Sequence, residues 1–208
     1  MGSTGSGGEF EDLCQQYETW IHAYVSAHFD SPLYHIWLSD STDERDRTDK
    51  FILSKDNKIV TATTPMRLLN ALKDLEIPFP DNEKTKEWLI RAFLSDPAPS
   101  IVYDIKLIEA SILAKDMSQD FIEEAVNFIN LFGDLGHQLG NEELIDLTYD
   151  NSVRDLWDFF YDNTFWPRWG HEDTFDESKV PAFEPDYEEL KEDFDVLIQE
   201  FESRFDIR

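Results

Sequence analysis

The stretch Lys50-Phe51-Ile52-Leu53-Ser54-Lys55-Asp56-Asn57-Lys58-Ile59-Val60-Thr61-Ala62 decides the fold class. Two short runs, the second rich in β-branched residues, flank Lys55-Asp56-Asn57, and Asp and Asn tolerate the backbone of a tight turn. The stretch reads as a hairpin. Immediately after it, Thr64-Pro65 supplies an N-cap and a proline at the first helical position. Met66, Leu68, Leu69, Leu72 and Leu75 then carry a helix that ends at Ile77-Pro78-Phe79-Pro80. A strand pair running straight into a helix is the signature of an α+β chain.

Working towards the N-terminus, Asp40 to Asp49 holds mixed charge and no apolar residue and reads as an exposed loop. Before it, Leu33-Tyr34-His35-Ile36-Trp37-Leu38 is short, aromatic and β-branched, which predicts a strand. From Phe10 to Phe29 the residues Phe10, Leu13, Cys14, Tyr17, Ile21, Tyr24, Val25 and Phe29 recur at three- and four-residue steps. That period predicts one amphipathic helix, closed by Asp30-Ser31-Pro32. The first eight residues are Gly- and Ser-rich, with neither a basic start nor an apolar run, and read as an expression leader outside the fold.

Towards the C-terminus, Asp81 or Asn82 caps a helix whose Trp88, Leu89, Ala92 and Phe93 form one face. The prolines of Ser95-Asp96-Pro97-Ala98-Pro99-Ser100 then break the chain. Ile101-Val102-Tyr103 fits either a strand or the start of a helix running to Leu113. Ser118 opens a helix carrying Phe121, Ile122, Ala125, Val126 and Ile129, stopped at Gly133 or Gly136. Asn141 caps a segment to Tyr149, Ser152 opens another to Tyr161, and Tyr187, Leu190, Phe194, Leu197, Phe201 and Phe205 mark a final amphipathic helix over 186–205. The fold class is therefore α+β, predominantly helical. It has a small antiparallel sheet in the N-terminal half and helices in the C-terminal half, with residues 9–208 as one domain and a candidate internal break at 95–100.

The composition is unusual. Of 208 residues, 45 are Asp or Glu and 18 are Lys or Arg, a formal net charge of -27, yet 14% are aromatic. Acidic disordered chains lack such aromatics, so the chain folds. Phosphate backbones and anionic headgroups repel a surface this negative, which argues against direct nucleic-acid or membrane binding and in favour of a basic partner. No run of apolar residues is long enough to span a bilayer. The single cysteine, Cys14, has no partner for an internal disulfide, which fits a reducing cytoplasm, and it lies on the apolar face with Tyr17 and Ile21. The acidity is polarised: residues 1–100 hold 17 acids against 10 bases, residues 101–208 hold 28 against 8, and residues 150–208 alone hold 18 against 6.

Motifs for chemistry are missing. The histidines at 22, 28, 35, 137 and 171 are scattered, without HExxH or paired CxxC spacing. The acidic stretches 40–49 and 172–177 lack the glycine and alternating ligands of a calcium loop. Neither GxSxG, GxGxxG nor GxxxxGK[ST] occurs. No metal, cofactor or catalytic residue is expected. What stands out is Phe165-Trp166-Pro167-Arg168-Trp169-Gly170-His171-Glu172-Asp173-Thr174-Phe175-Asp176-Glu177, where large aromatics and acids mix outside a clear period. This is the composition of an interface hot spot, with Trp166 and Trp169 as apolar anchors and Glu172, Asp173, Asp176 and Glu177 as partners for Lys or Arg. The competing reading makes Phe165, Trp166 and Trp169 loop anchors packed into the domain.

The hairpin 51–63 running into Pro65–Leu72, together with Asp155-Leu156-Trp157-Asp158-Phe159-Phe160-Tyr161 and Phe165-Trp166-Pro167, resembles the immunity proteins of bacterial polymorphic-toxin and contact-dependent growth inhibition systems. The resemblance is of style over most of the chain and transfers no binding residue. It implies a small, soluble, cytoplasmic, non-enzymatic protein that binds one cognate toxin domain and blocks it. Many such toxins are nucleases with a basic surface, which an acidic partner occupies with fast, salt-sensitive association. The alternative is a DNA mimic of the anti-restriction or anti-defence kind, whose carboxylates imitate phosphate spacing and which binds several DNA-binding proteins.

Overall fold

A computed structural model describes residues 7–40, 48–74 and 82–208. The chain is α+β. It forms two compact units, one of residues up to Tyr103 with Ser203–Arg208, the other Asp104–Glu202. Among the described residues, no helix is long and apolar enough to cross a membrane.

The first unit opens with α1 (Gly7–Tyr17), followed by strands β1 (Thr19–Val25), β2 (Leu33–Asp40), β3 (Thr48–Phe51) and β4 (Ile59–Thr61). Then come α2 (Pro65–Asp74), α3 (Asn82–Ala92) and β5 (Ile101–Asp104), and the chain returns at its end as β6 (Phe205–Ile207). A four-stranded sheet has the order β3-β2-β1-β5, in which β1–β2 and β2–β3 are antiparallel. Strands β4 and β6 form a separate parallel pair, Ile59 opposite Phe205. Phe10 and Cys14 of α1, Ile21 of β1, Ile36 of β2, Leu68 and Leu69 of α2 and Trp88 of α3 build one apolar cluster.

Several expectations are corrected here. The helix expected over Phe10–Phe29 ends at Tyr17, where Glu18 takes a left-handed φ of 49°, and the rest is β1. Thr19, Ile21 and Val25 are β-branched and Trp20 and Tyr24 aromatic, so local propensity favours the strand. Because Ile21, His22, Ala23 and Tyr24 are all buried, β1 lacks the alternation by which an exposed-face strand is recognised. The hairpin is correct at its turn, where Asn57 is left-handed at φ 56° and Ser54 N–H donates to the Lys58 carbonyl at 2.7 Å. Its arms diverge beyond the single Leu53–Ile59 bridge: β3 pairs with β2 and β4 with β6.

Of the expected loop 40–49, residues 41–47 lie outside the described residues, while Asp40 and Thr48 pair across β2–β3. The expected end of the next helix at 77–80 and the cap at Asp81 also lie outside them, as do residues 1–6 of the expected leader; Gly7 and Gly8 belong to α1.

The second unit is helical: α4 (Ile105–Ala114), α5 (Gln119–Leu139), α6 (Glu142–Asp146), α7 (Ser152–Phe160), a π turn (Tyr161–Phe165), α8 (Trp166–Arg168) and α9 (Tyr187–Ser203). Ile101–Tyr103 is strand and Ile105 starts helix, and Asp104 between them caps α4 by accepting the Leu107 N–H at 3.1 Å. Gly133 and Gly136 do not stop α5. The helix runs through both and ends at Gly140, whose φ of +57° is the left-handed C-terminal conformation in which glycine carries no steric penalty. Asn151, rather than Ser152, caps α7 by accepting the Arg154 N–H at 3.0 Å. Phe128 and Phe132 of α5 meet Phe201 of α9 in the core.

Candidate functional site

The segment that carries the candidate residues begins on α7 and leaves it through the π turn. Pro167 gives a physical reason for that turn. A proline ring four residues beyond Asn163 collides with the Asn163 carbonyl in an α-helix, and opening the turn by one residue relieves the collision. The widened turn is closed by the Trp166 N–H donating to the Tyr161 carbonyl.

Aromatic rings line the segment in series. Trp157 and Tyr161 lie 4.1 Å apart by centroid, Tyr161 and Phe165 4.9 Å, and Phe165 and Trp169 5.4 Å. Trp166 joins the series at 4.8 Å from Phe165, edge to face. The base of the stack is fixed by Asn130 of α5, which accepts from Trp157 Nε1 at 2.8 Å and donates to the Tyr161 hydroxyl at 3.3 Å. Exposure rises along it: Trp157, Tyr161 and Phe165 are half-buried, whereas Trp166 is 59% and Trp169 65% exposed. Phe165 is the anchored ring. The two tryptophans stand outside the core with their apolar faces in water.

The four candidate acids follow in the next turns, all exposed. Gly170, at φ +71°, lets the chain reverse after Trp169. Glu172 accepts the Gly170 N–H at 3.2 Å, and backbone hydrogen bonds, its own amide first, hold its carboxyl below the usual range. Asp176 accepts from the Ser178 hydroxyl at 2.6 Å and pairs with Lys179 at 3.1 Å, and these contacts, the Ser178 hydroxyl first, lower its pKa. Asp173, between them, and Glu177, after Asp176, are exposed. Asp176 also lines an open cleft of about 400 Å³ together with Asp162, Pro167 and His171. The segment therefore brings Trp166 and Trp169 together through Phe165, and ties Glu172 to the turn beside Trp169.

Asn130 and Asp162 also belong to this surface without a sequence signal, and Trp157 and Tyr161, quoted above only for the resemblance, join it as binding residues. For the rings a signal existed. Trp157, Tyr161, Phe165 and Trp169 recur every four residues, a spacing that drifts around an α-helix and that a wider π turn turns back. Among the described residues, no group of three or more His, Cys, Asp or Glu side chains is placed to hold a metal ion.

The arrangement is an α+β protein with an exposed aromatic and acidic surface on its helical unit. No family model and no curated protein matches the sequence. One solved structure is similar in fold: the C-terminal domain of SatS, described in complex with bromine, at 14% sequence identity and a TM-score of 0.64, covering 95% of this chain and 97% of that one.

Proposed function

We propose that this chain is a non-enzymatic immunity protein, which captures a basic bacterial toxin domain on the aromatic and acidic surface between Tyr161 and Glu177. The observation that carries the reading is the pair of exposed tryptophans, Trp166 and Trp169, mounted on a fixed ring stack and followed by exposed carboxylates. Leaving two large rings in water costs free energy that a partner recovers on covering them, and tryptophan dominates binding hot spots for that reason. The net charge of -27 supplies the long-range attraction to a basic toxin, and the rings supply the contact that survives when salt screens it.

The test is stopped-flow association with the toxin encoded beside this chain. Replacing Glu172, Asp173, Asp176 and Glu177 by their amides slows association by about tenfold at low salt and flattens its salt dependence. Unchanged rate and unchanged salt dependence would remove these carboxylates from the interface.

A further inference from the structure

We infer that the side chain this surface is built to hold is arginine, in preference to lysine. The inference rests on the partner-binding reading above and specifies its chemistry. The structure already contains one such arrangement within the same unit. The Arg154 guanidinium lies 4.5 Å over the Trp157 ring and 5.4 Å over the Tyr149 ring, and it pairs with Asp158 Oδ1 at 2.8 Å. Two ring faces and one carboxylate thus hold a guanidinium at the start of the ring series.

Rings and carboxylates recur at its exposed end; there Lys179 already pairs with Asp176 at 3.1 Å, and the ring faces are what stays open. Trp166 and Trp169 offer open faces, Asp162 and Asp176 share the cleft beside Pro167, and Glu172 is fastened to the turn that follows Trp169. Among the described residues, no Lys or Arg lies over Tyr161, Phe165, Trp166 or Trp169, in contrast to Arg154 on Trp157. The nearby Arg168 acts on the Glu172 carboxyl.

A planar guanidinium stacks flat on such a ring and still donates sideways to a carboxylate, because its five N–H groups lie in the ring-parallel plane. An ammonium is compact and strongly hydrated, so it gains from the carboxylates and little from the rings. Ring faces beside carboxylates therefore add to the preference that a two-pronged carboxylate contact already gives arginine.

Calorimetric titration of the full chain with blocked hexa-arginine and hexa-lysine peptides at moderate salt separates these cases. Hexa-arginine binds about fivefold more tightly to the unaltered chain. In the W166A/W169A double variant that preference shrinks to the part the carboxylates supply, because hexa-arginine loses more affinity than hexa-lysine, and in W166F/W169F, which keeps two ring faces, part of the lost preference returns. Equal affinities for the two peptides on the unaltered chain, or a preference undiminished in W166A/W169A, would overturn the inference. Its failure is distinct from failure of the immunity reading: a chain that neutralises its toxin without arginine preference loses only this inference, and one that prefers arginine yet neutralises no toxin loses only the other.

Discussion

His22 of β1 and His35 of β2 face each other as cross-strand partners, with ring centroids 5.6 Å apart and rings at 78°, both shut away from water. His22 stacks on Trp37, and His35 lies against Phe51 and over Tyr103. No hydrogen bond reaches Nδ1 of His22 or either ring nitrogen of His35. Burial pushes His35 down from 6.5 to about 3, against a smaller opposing effect of the backbone at Ile36. Burial, and secondarily repulsion from His35, pushes His22 well below its ordinary value.

Acidification therefore destabilises the fold. Above pH 6.5 both histidines are neutral folded or unfolded and cost nothing by ionisation. Below it the unfolded chain takes up protons that the folded chain refuses, and stability falls by about 1.4 kcal/mol per pH unit for each histidine, for His35 continuing towards its folded value near 3. Urea denaturation across this window reads the slope, and H35F should reduce it by about half. An H35F slope equal to that of the unaltered chain would contradict the buried-pair account.

Cys14 is fully buried, and burial raises its thiol to about 11. Because the thiolate is the reactive form, alkylation at pH 8 in the native state is slow and limited by unfolding, and it becomes fast in urea. Mass-spectrometric timing of iodoacetamide labelling checks this; rapid native labelling would mean that the cluster around Cys14 opens.

Gly133 and Gly136 both lie within α5, but a methyl group at 133 meets open space while one at 136 comes within 3.1 Å of Ile145 Cγ1 on α6. G133A should stabilise by about 0.5–1 kcal/mol through helix propensity, and G136A should gain less or destabilise, because Ile145 has to give way. Thermal melts of the two variants decide it, and equal shifts would contradict the close α5–α6 approach.

At the start of α7, Asp193 of α9 accepts from both the Ser152 N–H at 3.0 Å and the Ser152 hydroxyl at 2.6 Å. D193A should cost about 1–2 kcal/mol, with S152A costing less because the backbone N–H retains its acceptor. Urea midpoints of both variants check the order, which S152A matching or exceeding D193A would reverse.

Elements marked by local chemistry were legible in the sequence. Thr64-Pro65 announced α2, whose Thr64 hydroxyl accepts the Arg67 N–H at 3.2 Å, and the spacing from Tyr187 to Phe201 announced α9 but carried it on to Phe205, which instead begins β6. What escaped depended on distant parts of the chain. β1 mimics a helical period because it is covered on both faces, and the partner of Ile59–Thr61 is Phe205–Ile207, 146 residues further along the chain. The stop at Gly140 was misassigned because Gly133 and Gly136 come first, and only packing against α6 distinguishes Gly136. At the candidate site, the mixture of rings and acids was visible, but their order was not. Reading 165–177 apart from α7 hid the run from Trp157 through Tyr161 and Phe165 to Trp169, which the π turn holds together.

The central claim is tested most directly by capturing the partner of the tagged chain from its own cells, or the product of the gene immediately upstream, at low and moderate salt. The captured protein is then expressed with and without this chain. The account requires one basic protein that is toxic alone and harmless in the chain's presence, with protection lost in a variant that combines W166A and W169A with the four amide substitutions. No partner at either salt, or several unrelated DNA-binding proteins with no toxicity to neutralise, would contradict it.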